Sequence, residues 1–203
     1  MSAKLDVKRT ALLIVDLQND FLHADGAYAR GRANLPGSAA LIANMKSVAD
    51  AMRVAGGWIV STQFTLVPGR GGEPLISPHL KQLRPFLRKG DFQPGAWGHN
   101  LIDELAPADF TIEKVAYSAF YMTRLEFVLR KVGIDTLLVG GIVTNGGVAS
   151  TLRDAHVRDF HAMLLTDGCA AFSKEAHEAS IASLGTIAPK LTCAEAAALI
   201  NAA

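Results

Sequence analysis

The sequence of 203 residues is short of several features that define common classes of protein. It has only two cysteines, Cys169 and Cys193, too few for the disulfide framework of a small secreted protein. No uninterrupted apolar run approaches the roughly 18 residues that cross a bilayer. The formal net charge of +1 gives no excess of either sign to attract nucleic acid or an acidic membrane surface. We therefore expect a cytoplasmic protein with no nucleic-acid or membrane partner.

Apolar residues, in contrast, make up half of the chain, which is enough for one large core, and no linker divides residues 1–203. Strand-like apolar runs alternate with segments that have helical spacing of apolar residues. The predicted strands are 10–15, 58–62, 110–114, 136–139, 162–166 and 190–193. The predicted helices are 38–55, 124–131, 148–158, 174–186 and an Ala-rich closing segment. This alternation predicts a single Rossmann-like α/β domain, a three-layer sandwich whose parallel sheet of about six strands has helices on both faces.

One segment, residues 64–100, interrupts the alternation with five of the eight prolines and a cluster of glycines. Long loops inside compact domains tend to be functional, and this one leaves the second strand at its carboxyl end, where α/β sheets bind ligands. We expect it to form a pocket wall or lid, with a surface excursion or oligomer contact as the alternative. Its arginines could bind a substrate carboxylate, although a solvated surface position is the commoner use: Arg70, Arg84 and Arg88.

Two charged residues stand at the carboxyl ends of predicted strands. Asp16 follows the apolar run 10–15, and Lys114 closes the run 110–114. Parallel strands bring their carboxyl ends to one edge, so we expect the two side chains to lie together there. Burial raises the pKa of a carboxyl group, whereas a neighbouring ammonium favours its ionised form. Such opposed effects are typical of acid–base sites, although each residue alone is also typical of a solvated strand end.

The turn from the fourth strand into its helix is the third feature of this edge. Residues 137–155 read LLVGGIVTNGGVASTLRDA, an apolar run followed by glycine pairs on either side of a Thr-Asn turn. A strand-to-helix turn directs free backbone N–H groups, and the positive end of the helix, at whatever lies in front of it. The turn therefore predicts a place where negative charge is bound.

Three segments resemble those of the isochorismatase-like (cysteine hydrolase) superfamily, and they occur in the order of that family. They are V-D-x-Q-x-D-F at 15–21, K-x-x-x-S-A-F at 114–120, and the turn at 141–155. In the family, the typical sequence of this turn is G-I/V-x-T-x-x-C-V-x-x-T-x-x-D-A. The segment TDGCA at 166–170 is similar as well, so the resemblance covers roughly residues 10–175. It implies that Asp16 is a catalytic carboxylate and that Lys114 is its partner.

The same resemblance assigns binding positions. It implies that the backbone N–H groups of Val143 and Gly147 bind developing negative charge. Gln63 stands where isochorismatases place a substrate-binding glutamine. Phe21 and Tyr117 belong to the matching segments, and we expect both to contact the substrate.

Gly147 is where the chain departs from the family pattern, because it occupies the position of the nucleophilic cysteine. Glycine has no side chain to attack with, which excludes cysteine-based covalent catalysis at this position. Isochorismatases are similar, since they can carry a small residue there; their aspartate protonates a vinyl ether, and water adds to the resulting carbon. The resemblance also implies a cis peptide bond between Ile142 and Val143.

Other side chains could in principle replace the cysteine. Ser150 and Thr151 lie three and four residues beyond Gly147, so both share its helical face. Thr151 matches a threonine that cysteine-bearing members also carry, which favours a structural role. Ser150 is a minor candidate, as are Thr144 and Ser118.

No metal or cofactor is predicted. The six histidines form no i,i+4 ligand pair on one helix, and residues 63–65 lack the D-x-H motif of the nicotinamidase branch. There is no G-x-G-x-x-G or Walker pattern for a nucleotide. We expect Cys169 and Cys193 to be buried and structural.

These observations predict a hydrolase that acts on a small anionic metabolite, with acid–base chemistry by Asp16 and Lys114 and with water as the nucleophile. The bond is predicted to be a vinyl ether or a related one. One alternative is an amide (C–N) hydrolase with a substitute nucleophile, which the amidase-like G-D-F-x-P at 90–94 favours. The other is a non-catalytic binding or assembly homologue. The resemblance also implies a homodimer or homotetramer, with the 64–100 segment as its contact.

Overall fold

The computed structural model describes residues 5–203, and the first four residues of the chain lie outside it. Its centre is a six-stranded sheet in which every pair of neighbouring strands is parallel, in the order β3-β2-β1-β4-β5-β6. The strands are β1 (Thr10–Val15), β2 (Trp58–Phe64), β3 (Phe110–Lys114), β4 (Thr136–Ile142), β5 (His161–Ala170) and β6 (Lys190–Leu191). The predicted parallel α/β sheet is confirmed.

Helices cover both faces of this sheet. They are α1 (Asn19–Leu22), α2 (Ala27–Arg30), α3 (Ser38–Ala55), α4 (Pro78–Leu83), α5 (Leu125–Lys131), α6 (Ala149–Val157), α7 (Lys174–Leu184) and α8 (Cys193–Asn201). Apolar side chains of α3 and α8 pack on one face, and those of α5, α6 and α7 pack on the other. Side chains of β1 alternate between the two cores, with Leu12 and Ile14 in the first and Leu13 and Val15 in the second. None of the described helices is long and apolar enough to cross a membrane.

The sixth strand differs from its prediction. It ends at Leu191, and Cys193 begins α8 instead of closing a strand. The reason is a capping box: Thr192 accepts a hydrogen bond from the Glu195 N–H, and the Glu195 carboxylate accepts one from the Thr192 N–H. The pattern of apolar residues, from which the strand was predicted, carries no information about these two hydrogen bonds.

The 64–100 segment is ordered by contacts with the residues that follow β1. The buried carboxylate of Asp20 accepts hydrogen bonds from the N–H groups of Ala27, at 3.0 Å, and Phe92, at 2.6 Å. The side chain of Gln18 both donates to and accepts from the backbone of Phe64, at 3.1 and 2.8 Å. The V-D-x-Q-x-D-F motif therefore does more than supply Asp16, because its glutamine and second aspartate hold the excursion against the sheet.

Candidate active site

The ion pair at the centre of the site joins β1 to β3 across the intervening β2. Asp16 follows β1, Lys114 is the last residue of β3, and Lys114 Nζ lies 2.6 Å from Asp16 Oδ2. Both side chains are almost fully buried, with 6% and 2% of their surface exposed. The ammonium also lies 5.8 Å from the centre of the Phe64 ring, which ends β2 between them. The structure thus brings together the two charged residues that the strand ends predicted.

Thr62 completes the environment of the Asp16 carboxyl group. Its hydroxyl donates to Asp16 Oδ1 at 2.6 Å, and it is positioned to do so because Thr62 pairs with Val15 in the parallel register of β2 and β1. Asp16 itself has a positive φ of 57°, a conformation uncommon for a residue with a side chain. Burial raises the pKa of Asp16, while the Lys114 charge and the Lys114 and Thr62 hydrogen bonds oppose that rise.

The turn after β4 lies directly beside this carboxyl group. It is a π-type turn, Thr144–Val148, and the peptide bond between Ile142 and Val143 that precedes it is cis, as the resemblance implied. A Cβ atom built on Gly147 would lie 3.4 Å from Asp16 Oδ2 but only 2.8 Å from the carbonyl oxygen of Ile142. The backbone has therefore closed on the position of the missing side chain, and a residue larger than glycine fits only if the turn shifts.

A cavity of about 360 Å³ opens over this group of residues. Its wall includes Asp16, Lys114, Val143 and Gly147. The predicted contacts Phe21 and Tyr117 line it as well, and the 64–100 segment contributes one side, as expected for a pocket wall. The lining from that segment is Phe64, Ser77, His79, Leu80, Leu83, Arg84 and Leu87.

Gln63, in contrast, does not line this cavity. Successive side chains of a strand alternate between faces, so Thr62 and Phe64 face the site while Gln63 faces the other side of the sheet. There its Nε2 donates to Ser61 Oγ at 2.8 Å, and its Oε1 has no hydrogen-bond partner among the described residues. The structure therefore leaves Gln63 apart from the other predicted site residues.

Three of the four side chains considered as substitute nucleophiles are engaged in hydrogen bonds elsewhere. Thr151 Oγ1 accepts a hydrogen bond from the Ala119 N–H at 2.9 Å, and Thr144 Oγ1 lies 2.9 Å from His177 Nδ1. Ser118 Oγ accepts a bond from the backbone of the 114–120 segment. None of these three, nor Ser150, belongs to the described cavity wall.

The two cysteines are buried away from the cavity. Burial raises the pKa of Cys169 to about 12 and raises that of Cys193 as well, so neither thiol forms the reactive thiolate at neutral pH. Within residues 5–203, no three His, Cys, Asp or Glu side chains are grouped closely enough to hold a metal ion.

Sequence reasoning missed several members of the site. Thr62 could have been found from the register, because a parallel partner of Val15 must lie beside the start of the Asp16 turn. Tyr28 and Phe172 line the cavity from α2 and from the segment after β5, two places that the strand pattern does not connect. Of the three arginines for which the sequence left a carboxylate site or a solvated surface open, the structure places Arg84 in the wall.

The fold and the site together are those of a parallel α/β domain with a buried Asp16–Lys114 ion pair at the carboxyl edge of its sheet. The chain belongs to the isochorismatase family, since the model of the Isochorismatase domain matches residues 10–196.

Individual relatives agree with this assignment. The chain is 35% identical to ureidoacrylate amidohydrolase RutB of Pantoea ananatis over 173 residues, which span 79% of this chain and 68% of that protein. Among solved structures it is similar to a cysteine hydrolase from Pseudomonas syringae, with a TM-score of 0.83, 25% identity and coverage of 100% and 99% of the two chains. It is also similar to N-carbamoylsarcosine amidase from Thermoplasma acidophilum, with a TM-score of 0.69, 26% identity and coverage of 91% and 96%.

Proposed function

We propose that this isochorismatase-family hydrolase cleaves a small anionic metabolite by direct attack of water, with Asp16 as the acid–base group and without a covalent enzyme intermediate. The observation that carries the proposal is the geometry around Gly147. A buried Asp–Lys pair faces the cavity beside it, yet neither a cysteine nor a threonine belongs to the described cavity wall. The wall's one serine, Ser77, caps α4 by accepting the Leu80 N–H.

Each residue of the pair has a distinct role in this scheme. Asp16, whose pKa burial raises, donates a proton to the substrate or accepts one from the attacking water. Lys114 holds the carboxyl group in place and balances its charge when it is ionised. The N–H groups of Val143 and Gly147 would bind the negative charge that develops on the substrate, as an oxyanion hole does.

A vinyl ether is the bond that this chemistry fits first. Asp16 gives its proton to the terminal CH2 carbon of the vinyl group, which leaves an oxocarbenium ion at the carbon that carries the ether oxygen. Water adds to that carbon and returns a proton to Asp16. The resulting hemiketal then breaks its C–O bond and releases the alcohol and a ketone. This route uses the carboxyl group as an acid, which agrees with the raised pKa of Asp16.

An amide bond is the second candidate, and the relatives favour it. RutB is named for its action on ureidoacrylate, and the solved amidase for its action on N-carbamoylsarcosine. Here Asp16 would instead accept a proton from the attacking water, and the N–H groups of the turn would bind the tetrahedral oxyanion. Asp16 would then return the proton to the nitrogen that leaves as the C–N bond breaks.

A substrate panel separates these candidates. Isochorismate, ureidoacrylate and N-carbamoylsarcosine are incubated with the wild-type protein and with Asp16→Asn, and products are followed by chromatography and mass spectrometry. Turnover of isochorismate by the wild type alone supports the vinyl-ether route, and turnover of either carbamoyl compound supports the amide route. If Asp16→Asn turns over the same compound at the wild-type rate, or if the wild type turns over none of the three, the proposal fails.

A further inference from the structure

Arg84 reaches the cavity from the end of α4. Pro85 follows it and disfavours a further helical turn, so the chain leaves the helix at Arg84. The guanidinium carbon lies 5.8 Å from the centre of the Tyr28 ring and 5.3 Å from that of Phe172. Its Nε donates to the Tyr28 hydroxyl at 3.2 Å, and one terminal nitrogen donates to the Leu83 carbonyl at 2.9 Å. These contacts hold the guanidinium at a fixed place in the wall.

No carboxylate balances this charge within residues 5–203. Arg84 takes part in no ion pair of the described structure, whereas the half-buried Arg30 is paired with Asp91 at 2.7 Å. In the cavity wall, Lys114 already balances Asp16. Arg84 is therefore the cation of the described cavity wall that has no carboxylate partner. A partly buried guanidinium with unused donors is a strong binding group for a planar anion, because its N–H fork matches a carboxylate.

The surroundings of Arg84 are apolar and aromatic. The rings of Tyr28 and Phe172 stack with their centres 5.6 Å apart and an angle of 15° between their planes. The centre of the Phe21 ring lies 4.7 Å from that of Tyr28. If the anionic end of a ligand binds Arg84, the apolar part between that end and Asp16 would pack against these rings.

We infer that Arg84 is the specificity-determining residue for a carboxylate at the end of the substrate remote from the cleaved bond. The inference rests on the proposed function, because it names the substrate class for the same cavity: monocarboxylic acids with a flat or apolar body. It places the carboxylate at α4, in the wall formed by the 64–100 segment, and the cleaved bond at Asp16 on the sheet side.

The test compares two ligands of the same shape that differ in charge, phenylacetate and phenylacetamide, by isothermal titration calorimetry. The wild type is expected to bind phenylacetate about tenfold more tightly, the size of one charge-assisted hydrogen bond. Arg84→Gln should abolish that preference, and Arg84→Lys, which keeps the charge but not the planar fork, should retain part of it. The matched control is Arg88→Gln, which changes an exposed arginine of the same segment and should leave the preference intact.

Three results would overturn the inference: equal affinity of the wild type for the two ligands, no binding of phenylacetate at millimolar concentration, or an unchanged preference in a folded Arg84→Gln. Thermal melting of each variant checks that it folds. The result is distinguishable from failure of the proposed function. Arg84-dependent binding without turnover of any substrate would leave this inference standing, and turnover without discrimination between acid and amide would contradict only this inference.

Discussion

At the scale of single residues, Asp16 experiences two opposite effects. Its burial favours the neutral acid, and the Lys114 ammonium 2.6 Å away favours the carboxylate. The balance raises the pKa above the ordinary value of 3.8, which keeps a proton on Asp16 at a higher pH than on a solvated carboxyl group. Whether kcat rises or falls with pH therefore shows whether Asp16 acts as a base or as an acid.

For a vinyl-ether substrate we predict that kcat falls as pH rises through the raised pKa of Asp16. The active form is then the protonated acid, and its population decreases about tenfold for each pH unit above the pKa. For an amide substrate the active form is the carboxylate, so kcat should instead rise with pH across the same window. The measurement is kcat at saturating substrate from pH 4 to pH 9; a flat profile in this window would contradict both roles of Asp16.

At Gly147 we predict that alanine is poorly tolerated. The added Cβ would lie 2.8 Å from the Ile142 carbonyl oxygen, a backbone atom that moves only with the turn. Gly147→Ala should lower the free energy of unfolding by about 1–3 kcal/mol and reduce kcat. Urea denaturation and the kinetic assay check the two effects.

The matched control is Gly146→Ala, whose Cβ would meet side-chain atoms of Val143 and Tyr117 rather than backbone. Those side chains can give way, so a smaller loss of stability is expected. Equal stability and activity of wild type and Gly147→Ala would show that the turn is not closed on this position.

The functional residues show how far sequence reasoning reaches at this scale. Asp16 and Lys114 were predictable because polar residues that end apolar strands must meet at one edge of a parallel sheet. Gln63 was placed by resemblance alone, and the strand alternation turns its side chain away from the cavity. The sequence could not decide whether Arg84 lines the cavity or lies at the surface. Its position depends on how a proline-rich segment folds back over the sheet.

At the scale of elements, the 64–100 segment depends on a few anchors. Asp20 is the strongest, because one carboxylate accepts the N–H groups of both Ala27 and Phe92 in a buried position. Such a bond network cannot be read from periodicity, which explains why α1, α2 and α4 were not predicted while the long amphipathic α3 was.

We predict that Asp20→Asn destabilises the protein by about 1–3 kcal/mol. The N–H groups of Ala27 and Phe92 bind different oxygens of the carboxylate, and an asparagine side chain has only one oxygen. The excursion should also be cleaved faster in limited proteolysis. Asp25→Asn, which changes an exposed carboxylate between α1 and α2, is the control and should match the wild type. Unchanged proteolysis of Asp20→Asn would mean that the aromatic contacts alone hold the segment.

At the scale of the whole molecule, the predicted homodimer or homotetramer remains a proposal. Most of the large apolar side chains that are exposed in the described chain fall between residues 67 and 127. They include Leu75, which is 69% exposed near the tip of the excursion. Large exposed apolar side chains of this kind are candidates for contacts between chains.

Light scattering after size-exclusion chromatography should therefore give more than one chain per particle. Leu75→Glu should shift the particle toward the monomer, since a charge is costly inside an apolar interface. Val54→Glu, at an apolar residue of α3 that is 88% exposed, should leave the mass unchanged. A monomeric wild type would refute the assembly.

Catalysis by Asp16 without a nucleophile on the enzyme is tested most directly by one kinetic comparison. On whichever substrate the panel identifies, kcat is measured for wild type, Asp16→Asn and Ser150→Ala, with folding checked by thermal melting. We expect Asp16→Asn to lose at least about a hundredfold in kcat and Ser150→Ala to stay near the wild type. A folded Asp16→Asn with wild-type kcat, or a Ser150→Ala that loses activity as completely as Asp16→Asn, would contradict the account.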